Sequence, residues 1–317
     1  MELTHELQNN LALHPMQTWE WGEARSQMGV RVEKMVVNDS IFQMTIHSVP
    51  YTSYSIGYLP RSVVPTATTL RQLYQFGKKN KLIFIKLEPY VDYAAHIDTS
   101  IDGAKVIPSA HPLFPEWTQT LDLTPPEDLL MKNLKSKTRY NIRLAEKKGV
   151  TISEMNTDEG FAIFSQLYFE TCRRQHYHGH TPEYHRVLWN ALKSSQAKIL
   201  IAFYNKQPLA AYELLHFKNT LYYIYGGSSV ENKQVMAPNL LMWESIKLGK
   251  RLGATTFDMW GSLEPGYAET HPWAGFTRFK EGYNTQFTHL MQSHDLVIDN
   301  TLYALYGIVH SVRDRFL

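Results

Sequence analysis

Residues 221–261 constrain the fold more than any other stretch. An aromatic, β-branched run at 221–225 breaks at Gly226-Gly227. Pro238 then opens a helix with apolar residues at Leu240, Leu241, Trp243, Ile246 and Leu248, and Gly253 closes it. A second strand at 255–260 ends at Gly261. Strand, helix and strand within about forty residues form a crossover unit, which joins parallel or near-neighbour strands. A diphosphate-bearing ligand at such a unit needs a Gly-rich turn at the helix start, where backbone N–H groups can cradle it. Here the two glycines lie about twelve residues too early for that turn. Met236-Ala237-Pro238-Asn239 fills the place instead.

A length of 317 residues is enough for two domains, each with its own core. Hydrophobic content of 44% and charged content of 20% describe an ordinary globular chain. The single Cys172 rules out an intramolecular disulfide and fits a reducing compartment. The first residues lack a basic start and an apolar core, so they do not read as a secretory signal. No apolar run reaches the roughly eighteen residues of a membrane helix. A cytoplasmic protein is expected.

Net charge is only +2, but the basic residues are unevenly placed. Lys132, Lys135, Lys137, Arg139, Arg143, Lys147 and Lys148 stand against one acid, Glu146. Lys135, Arg139, Arg143 and Lys147 recur at every fourth position and form one helical stripe. Leu134, Thr138, Ile142 and Ala145 form the stripe that packs inward. The basic face is either a solvated helix surface or a contact for a phosphate-rich partner.

A faint repeat is also present. Gly77-Lys78-Lys79, a strand at 82–85 and Leu87-Glu88-Pro89 echo Gly249-Lys250-Arg251, a strand at 255–257 and Leu263-Glu264-Pro265. Its period suggests two copies of one α/β fold. The connection Leu123-Thr124-Pro125-Pro126-Glu127-Asp128 marks the boundary, with Thr124 as the expected cap of the next helix.

Together these motifs carry a family resemblance. Tyr225-Gly226-Gly227-Ser228-Ser229, Ala237-Pro238-Asn239-Leu240-Leu241 with Trp243, and Arg278-Phe279-Lys280-Glu281-Gly282 resemble the Fem family. So do Lys135 to Arg143, Thr171 with Arg173 and Tyr177, and Trp21 with Arg25 four places on. The resemblance runs in order over nearly the whole chain. Fem enzymes are aminoacyltransferases that build peptidoglycan side bridges from aminoacyl-tRNA. The resemblance implies an α/β fold of two tandem N-acetyltransferase-like domains, mixed sheets flanked by helices. It places the domains at 1–123 with a returning tail, 293–317, and at 124–292. No charged heptad run long enough for the family's helical arm is present, so the armless form is expected.

The implied partners are aminoacyl-tRNA and a UDP- or lipid-linked peptidoglycan precursor, with peripheral contact at the inner membrane face. The tRNA ester is already activated, so no metal or cofactor is expected. The sequence shows no Gly-x-Ser-x-Gly elbow and no Gly-Lys-Ser/Thr phosphate loop. Lys280 with Phe279 is implied to be catalytic, the ammonium offsetting the oxyanion or holding the tRNA 3′ end. Without the resemblance, Lys280 reads as a surface lysine beside a core phenylalanine. The aromatics Trp273, Phe276 and Tyr283 around it, with Gly275 and Gly282, suggest a loop shaped around a ligand.

Thr171, Arg173 and Tyr177 are implied at the acceptor pocket, Arg173 on phosphate. Its alternative role is pairing with a helix C-terminus. Arg25 stands where the family has lysine. Glu88, before Pro89, is either a proton acceptor for the attacking amine or a strand-end cap. Tyr225 is expected to face the pocket. Lys135, Arg139, Arg143 and Lys147 are the candidates for tRNA contact. His176, His178, His180 and His185 crowd together but match no common zinc spacing. Two rival readings remain: an N-acyltransferase of this fold with another donor, and a catalytically silent tRNA- or membrane-binding protein.

Overall fold

The computed structural model of the protein describes residues 3–101, 103–177 and 179–316. In chain order its elements are α1 (His5–Leu11), α2 (Trp19–Gln27), β1 (Arg31–Val37), β2 (Ser40–Ser48), β3 (Ser55–Pro60), α3 (Ala67–Lys79), β4 (Leu82–Glu88), β5 (Ser100–Ile101) and β6 (Ala104–Pro108). There follow β7 (Trp117–Asp122), α4 (Glu127–Asn133), α5 (Ser136–Lys147), β8 (Thr151–Glu154), α6 (Asp158–Arg174), α7 (Pro182–Leu192), β9 (Ala197–Tyr204), β10 (Gln207–Phe217) and β11 (Thr220–Ser228). The chain closes with α8 (Ala237–Arg251), β12 (Thr256–Ser262), α9 (Ala274–Glu281), β13 (Gln286–His289), β14 (His294–Val297) and α10 (Asn300–Phe316).

Two compact units result, Met1–Glu116 with His289–Leu317, and Trp117–Thr288. The sequence reading put the crossings at 123/124 and 292/293. The first unit holds a seven-stranded sheet in the order β1-β2-β3-β4-β14-β6-β5. The second holds another, in the order β13-β7-β12-β11-β10-β9-β8.

The first sheet runs through three antiparallel strands, β1 to β3, and the second through four, β8 to β11, into one parallel pair each, β3 with β4 and β11 with β12. The helix between the paired strands, α3 or α8, makes the crossover. This is the physical content of the sequence repeat. In α3 the buried residues Leu70, Leu73, Tyr74 and Gly77 lie on one face. They pack into a core with Phe42, Leu59, Ile85, Leu87 and Leu296. In α8 the buried Leu240, Leu241, Trp243, Ile246 and Leu248 close over Leu214, Leu221, Phe257 and Met259 of the second sheet.

Three local expectations are corrected. First, β11 does not stop at Gly226-Gly227; it runs through both to Ser228. A Cβ on Gly227 would collide with the backbone of Leu167 and Tyr168, so this glycine admits α6 onto the strand. Second, α4 begins after Pro126, with no side-chain cap. Thr124 instead donates its N–H to Asp122 Oδ1 (2.9 Å). Third, residues 274–281 are helix α9, not a loop. The expected inward stripe of Leu134, Thr138, Ile142 and Ala145 is buried.

Candidate functional site

The two parallel pairs differ in one respect that matters for chemistry. In the first unit β3 and β4 stay paired from Ser55↔Leu82 to Pro60↔Glu88. In the second, β11 and β12 pair only at Thr220↔Thr256, Leu221↔Phe257 and Tyr222↔Asp258. Both strands then run on, β11 to Ser228 and β12 to Ser262, without pairing to each other. The C-terminal ends of parallel strands are where α/β sheets hold ligands, and here that end is open.

A bulge redirects β12 as it leaves β11. Its register with β7 shifts between Asp258 and Gly261, and Trp260 takes a left-handed φ of 66°. A non-glycine residue there costs about 1–3 kcal/mol, so the surroundings must hold it. Asp258 does so: its Oδ1 accepts the Trp260 N–H (2.6 Å) and the Thr118 hydroxyl (2.5 Å). Successive carbonyls in a regular strand point to opposite sides, but at this bulge two converge on one amine. Lys280 Nζ donates to Trp260 O (3.2 Å) and Gly261 O (2.6 Å).

Lys280 is 4% exposed, in the last turn of α9. The sequence default is therefore inverted: the lysine is buried and Phe279 is only partly so. The Lys280 ammonium also lies 4.8 Å from the Phe276 ring centroid. Burial pulls its pKa down to about 7, against the opposing charge of Asp258. Such an amine exchanges between ammonium and free base near neutrality, the range in which a general acid or base is most effective.

The first turn of α8 offers no diphosphate cradle. Pro238 has no N–H, and that of Asn239 bonds to Met236 O (3.0 Å). Two tyrosines buttress this turn: Tyr283 donates to Asn239 O (2.9 Å) and Tyr212 to Pro238 O (3.3 Å). The Tyr223 ring lies tilted against that of Tyr212, centroids 4.5 Å apart, and Phe279 meets Tyr283 edge-on at 5.4 Å.

The β10–β11 register shifts between Glu213 and Leu214, so Tyr225 pairs with Glu213 while Tyr223 pairs with Leu214. The shift puts Tyr223 on the α8 side and Tyr225 on the α6 side. There Tyr225 meets Tyr168 (5.4 Å) and His185 (4.6 Å).

Thr171 spends its hydroxyl on a clip between α6 and β11, accepting the Ser228 N–H (2.9 Å) and donating to Leu167 O (2.9 Å). Arg174 completes the clip through Ser228 O (2.9 Å). Arg173, one residue earlier, is exposed, and its guanidinium has no hydrogen-bond partner among the described residues. Tyr177 is 52% exposed just beyond the helix.

Arg25 and Glu88 belong to the first unit. Arg25 lies in the last turn of α2, with Nη1 3.4 Å from Met28 Sδ, and Trp21, four residues earlier, is buried. Glu88 ends β4, buried. It accepts from Ser293 Oγ (2.6 Å), Leu113 N (2.6 Å), Phe114 N (3.3 Å) and Tyr58 OH (2.7 Å). Its carboxylate thus ties the loop at 113–114, Ser293 and Tyr58 to the end of β4.

The basic stripe is mixed in role. Lys135 is the N-cap of α5 and pairs with Glu281 (2.9 Å). Arg139 donates to Lys132 O (2.8 Å) and to Leu134 O, closing the end of α4. Lys137, Arg143 and Lys147 remain exposed. Of the histidines, His180 stacks on Tyr184 (3.8 Å) with its ring 6.4 Å from that of the buried His185, and His178 lies outside the described residues. Among the described residues no group of three His, Cys, Asp or Glu could hold a metal.

Sequence reasoning missed Asp258 and Glu213, and took Tyr283 only as one of the aromatics around Lys280. For the two acids a signal existed, since each is a carboxylate inside an otherwise apolar strand, where charge is rare unless it has a task.

The FemAB family model matches residues 102–206 and 194–311. The chain belongs to the FemAB family. This FemAB chain is similar to lipid II:glycine glycyltransferase of Staphylococcus aureus (strain USA300), at 21% identity over 380 residues covering 92% of this chain and 89% of that protein. It is similar in structure to FemX, with a TM-score of 0.82 and 18% identity over 96% of this chain and 98% of the other. L-PGS from Bacillus licheniformis aligns at a TM-score of 0.52 with 14% identity, over 94% and 96%. The fold is that of two N-acetyltransferase-like domains, each a mixed sheet flanked by helices. Among the described residues no helix is long and apolar enough to cross a membrane.

Proposed function

We propose that the chain is a tRNA-dependent aminoacyltransferase that moves an amino acid from aminoacyl-tRNA to an amine of a peptidoglycan precursor. The observation that carries this reading is the opening between β11 and β12, bordered by a bulge that holds a buried lysine amine. FemAB membership and the likeness to a lipid II:glycine glycyltransferase support the substrate class.

In this reaction the neutral acceptor amine attacks the ester carbonyl, an N–C bond forms, and the ester C–O bond breaks. The ribose hydroxyl leaves with a proton while the amine loses one. Lys280 gives two ammonium hydrogens to Trp260 O and Gly261 O. The third has no acceptor among the described residues and is the one assigned to the developing oxyanion. The same two carbonyls fix the amine in place before the reaction begins, so little reorganisation accompanies it.

Arg173, exposed and unpaired, is assigned to a phosphate of the acceptor, where its planar fork binds bidentately. Tyr177 and Tyr225 line that side, and Thr171 acts by holding α6 against β11. In the first unit, taken by itself, Arg25 remains a candidate cation for a phosphate, and Glu88 fixes the loop at 113–114 through its carboxylate. Lys137, Arg143 and Lys147 are the cations of α5 open to the tRNA backbone, with Lys135 and Arg139 positioning the helix. A lipid-linked acceptor would bring the protein to the membrane surface as a peripheral partner.

The test mixes purified protein with charged tRNA pools and with UDP- or lipid-linked precursors, and reads product masses. An added aminoacyl mass that disappears on RNase treatment supports the reading. Tight stoichiometric binding of acetyl-CoA, with no tRNA-dependent product, would replace it with the rival acyl donor.

A further inference from the structure

The α6-facing side of the second sheet holds an acid and an imidazole, Glu213 and His185, that the transfer chemistry leaves unused. Glu213 of β10 is 0% exposed, and neither carboxyl oxygen has a hydrogen-bond partner among the described residues. His185 of α7 is 1% exposed, with both ring nitrogens equally unpartnered. Leaving a buried polar group unsatisfied costs about 1–3 kcal/mol, and more for a charged one, so such a pair calls for an occupant.

Aromatic rings surround it. Tyr225 is the cross-strand neighbour of Glu213, and the His185 ring lies 4.6 Å from that of Tyr225 and 4.8 Å from that of Tyr168. Towards solvent the half-buried Tyr184 and Tyr225 give way to the exposed Tyr177 and His180. The site thus has a buried floor and an accessible aromatic rim.

We propose that this site binds a primary ammonium group, held by the Glu213 carboxylate and the faces of Tyr168, Tyr225 and His185. Aromatic faces attract cations, and a carboxylate supplies the charge partner. An apolar group would leave the carboxyl and imidazole unsatisfied.

The titratable groups around Glu213 agree with a cation. Burial lowers the His185 pKa to about 4, helped by His180, so this imidazole is neutral and does not repel an ammonium. Tyr168 of α6 and Tyr225 of β11 face Glu213; behind them, Cys172 and Tyr177 interact with Tyr168, and Tyr184 with Tyr225. Burial raises the pKa of Tyr168, Cys172, Tyr177 and Tyr225. Empty, Glu213 has its pKa pushed up to about 8 by burial alone, so it is a neutral acid at lower pH. An arriving ammonium drives its proton off.

The inference rests on the aminoacyl-transfer reading only for the source of the ammonium. That source is either the α-ammonium of the aminoacyl ester or the side-chain ammonium of a diamino acid in the acceptor. Three probes separate the cases: glycinamide, Nα-acetyl-lysine methylamide, and Nα-acetyl-norleucine methylamide, which has no ammonium. Saturation-transfer NMR reads binding to the full-length protein. Calorimetry in two buffers of different protonation heat reads proton release.

One ammonium probe is expected to bind, with affinity rising up to about tenfold per pH unit from 6 to 8, and to release a proton. The norleucine probe is expected not to bind, and Glu213→Gln to abolish binding. Tyr225→Leu, which removes one ring and leaves the carboxyl, is expected to weaken it. Equal binding by Glu213→Gln, binding of the norleucine probe as strong as that of the ammonium probes, or no ammonium binding at millimolar concentration and pH 8.5 would overturn the proposal. Ammonium binding in a protein that transfers nothing supports the site and counts against the function. Transfer by a protein that binds neither ammonium probe does the reverse.

Discussion

Replacing Lys280 by Met removes the amine while roughly keeping the side-chain length, and the structure says what that does at each pH. Burial takes the Lys280 pKa from 10.5 to about 7. The unfolded chain therefore binds more protons than the folded one across that window, and wild-type stability rises with pH through it. Each pKa unit is worth about 1.4 kcal/mol, so the window of about 3.5 units spans roughly 5 kcal/mol. Against this stand the two carbonyls, Trp260 O and Gly261 O, which lose their donor in the variant, at about 1–3 kcal/mol each. The two effects nearly cancel at pH 7, where the variant should unfold close to the wild type. By pH 9 the wild type has gained roughly 2–3 kcal/mol that the Lys280→Met variant does not gain. Urea unfolding at pH 7, 8 and 9, with turnover measured at the same points, checks both halves. Turnover should fall in the variant with acceptor KM nearly unchanged, because the amine acts where charge develops. Stability curves for the two proteins that stay parallel from pH 7 to 9 would refute the buried-amine argument.

Arg173→Met should raise the acceptor KM about ten- to a hundredfold, the worth of a lost charge-assisted contact, with little effect on turnover; an unchanged KM would remove Arg173 from the acceptor site. Replacing Lys137, Arg143 and Lys147 by Glu should weaken tRNA association and flatten its salt dependence with the fold intact. Lys135→Glu and Arg139→Glu should lower stability instead, since these side chains hold Glu281 and the end of α4; a gel-shift series with thermal melts separates the two groups. Acetyl-CoA should give no calorimetric signal, because the first turn of α8 has no free run of N–H groups. Glu213→Gln should gain stability over wild type as pH rises from 5 to 8: the raised Glu213 pKa gives the wild type stability that is present at low pH and lost through about 8. A constant difference between the two proteins over that range would mean that Glu213 titrates normally.

How much was legible in the sequence depends on how far each signal reaches along the chain. The crossover at 221–261 and the inward stripe of α5 rest on periodicity and breakers within a few residues of each other. The repeat was visible for the same reason, because each copy carries its own helix end and strand. Gly226-Gly227 was misread because a glycine that ends a strand and one that admits a helix leave the same local mark. Only the packing of Leu167 and Tyr168 tells them apart.

The site needed the tertiary structure still more. The types at Lys280, Arg173 and Tyr225 were in the chain, but burial, free donors and strand pairing are properties of neighbours distant in sequence. The open end of β11 and β12, set against the closed pair β3 and β4, appears only when strands are paired. Lys280 became a perturbed amine only when the bulge at Trp260 brought two carbonyls to it and α9 closed out water. Local chemistry determined which elements form and which groups are available. Long-range packing decided which of those groups lose their water, and desolvation is what turns an ordinary side chain into a reactive one.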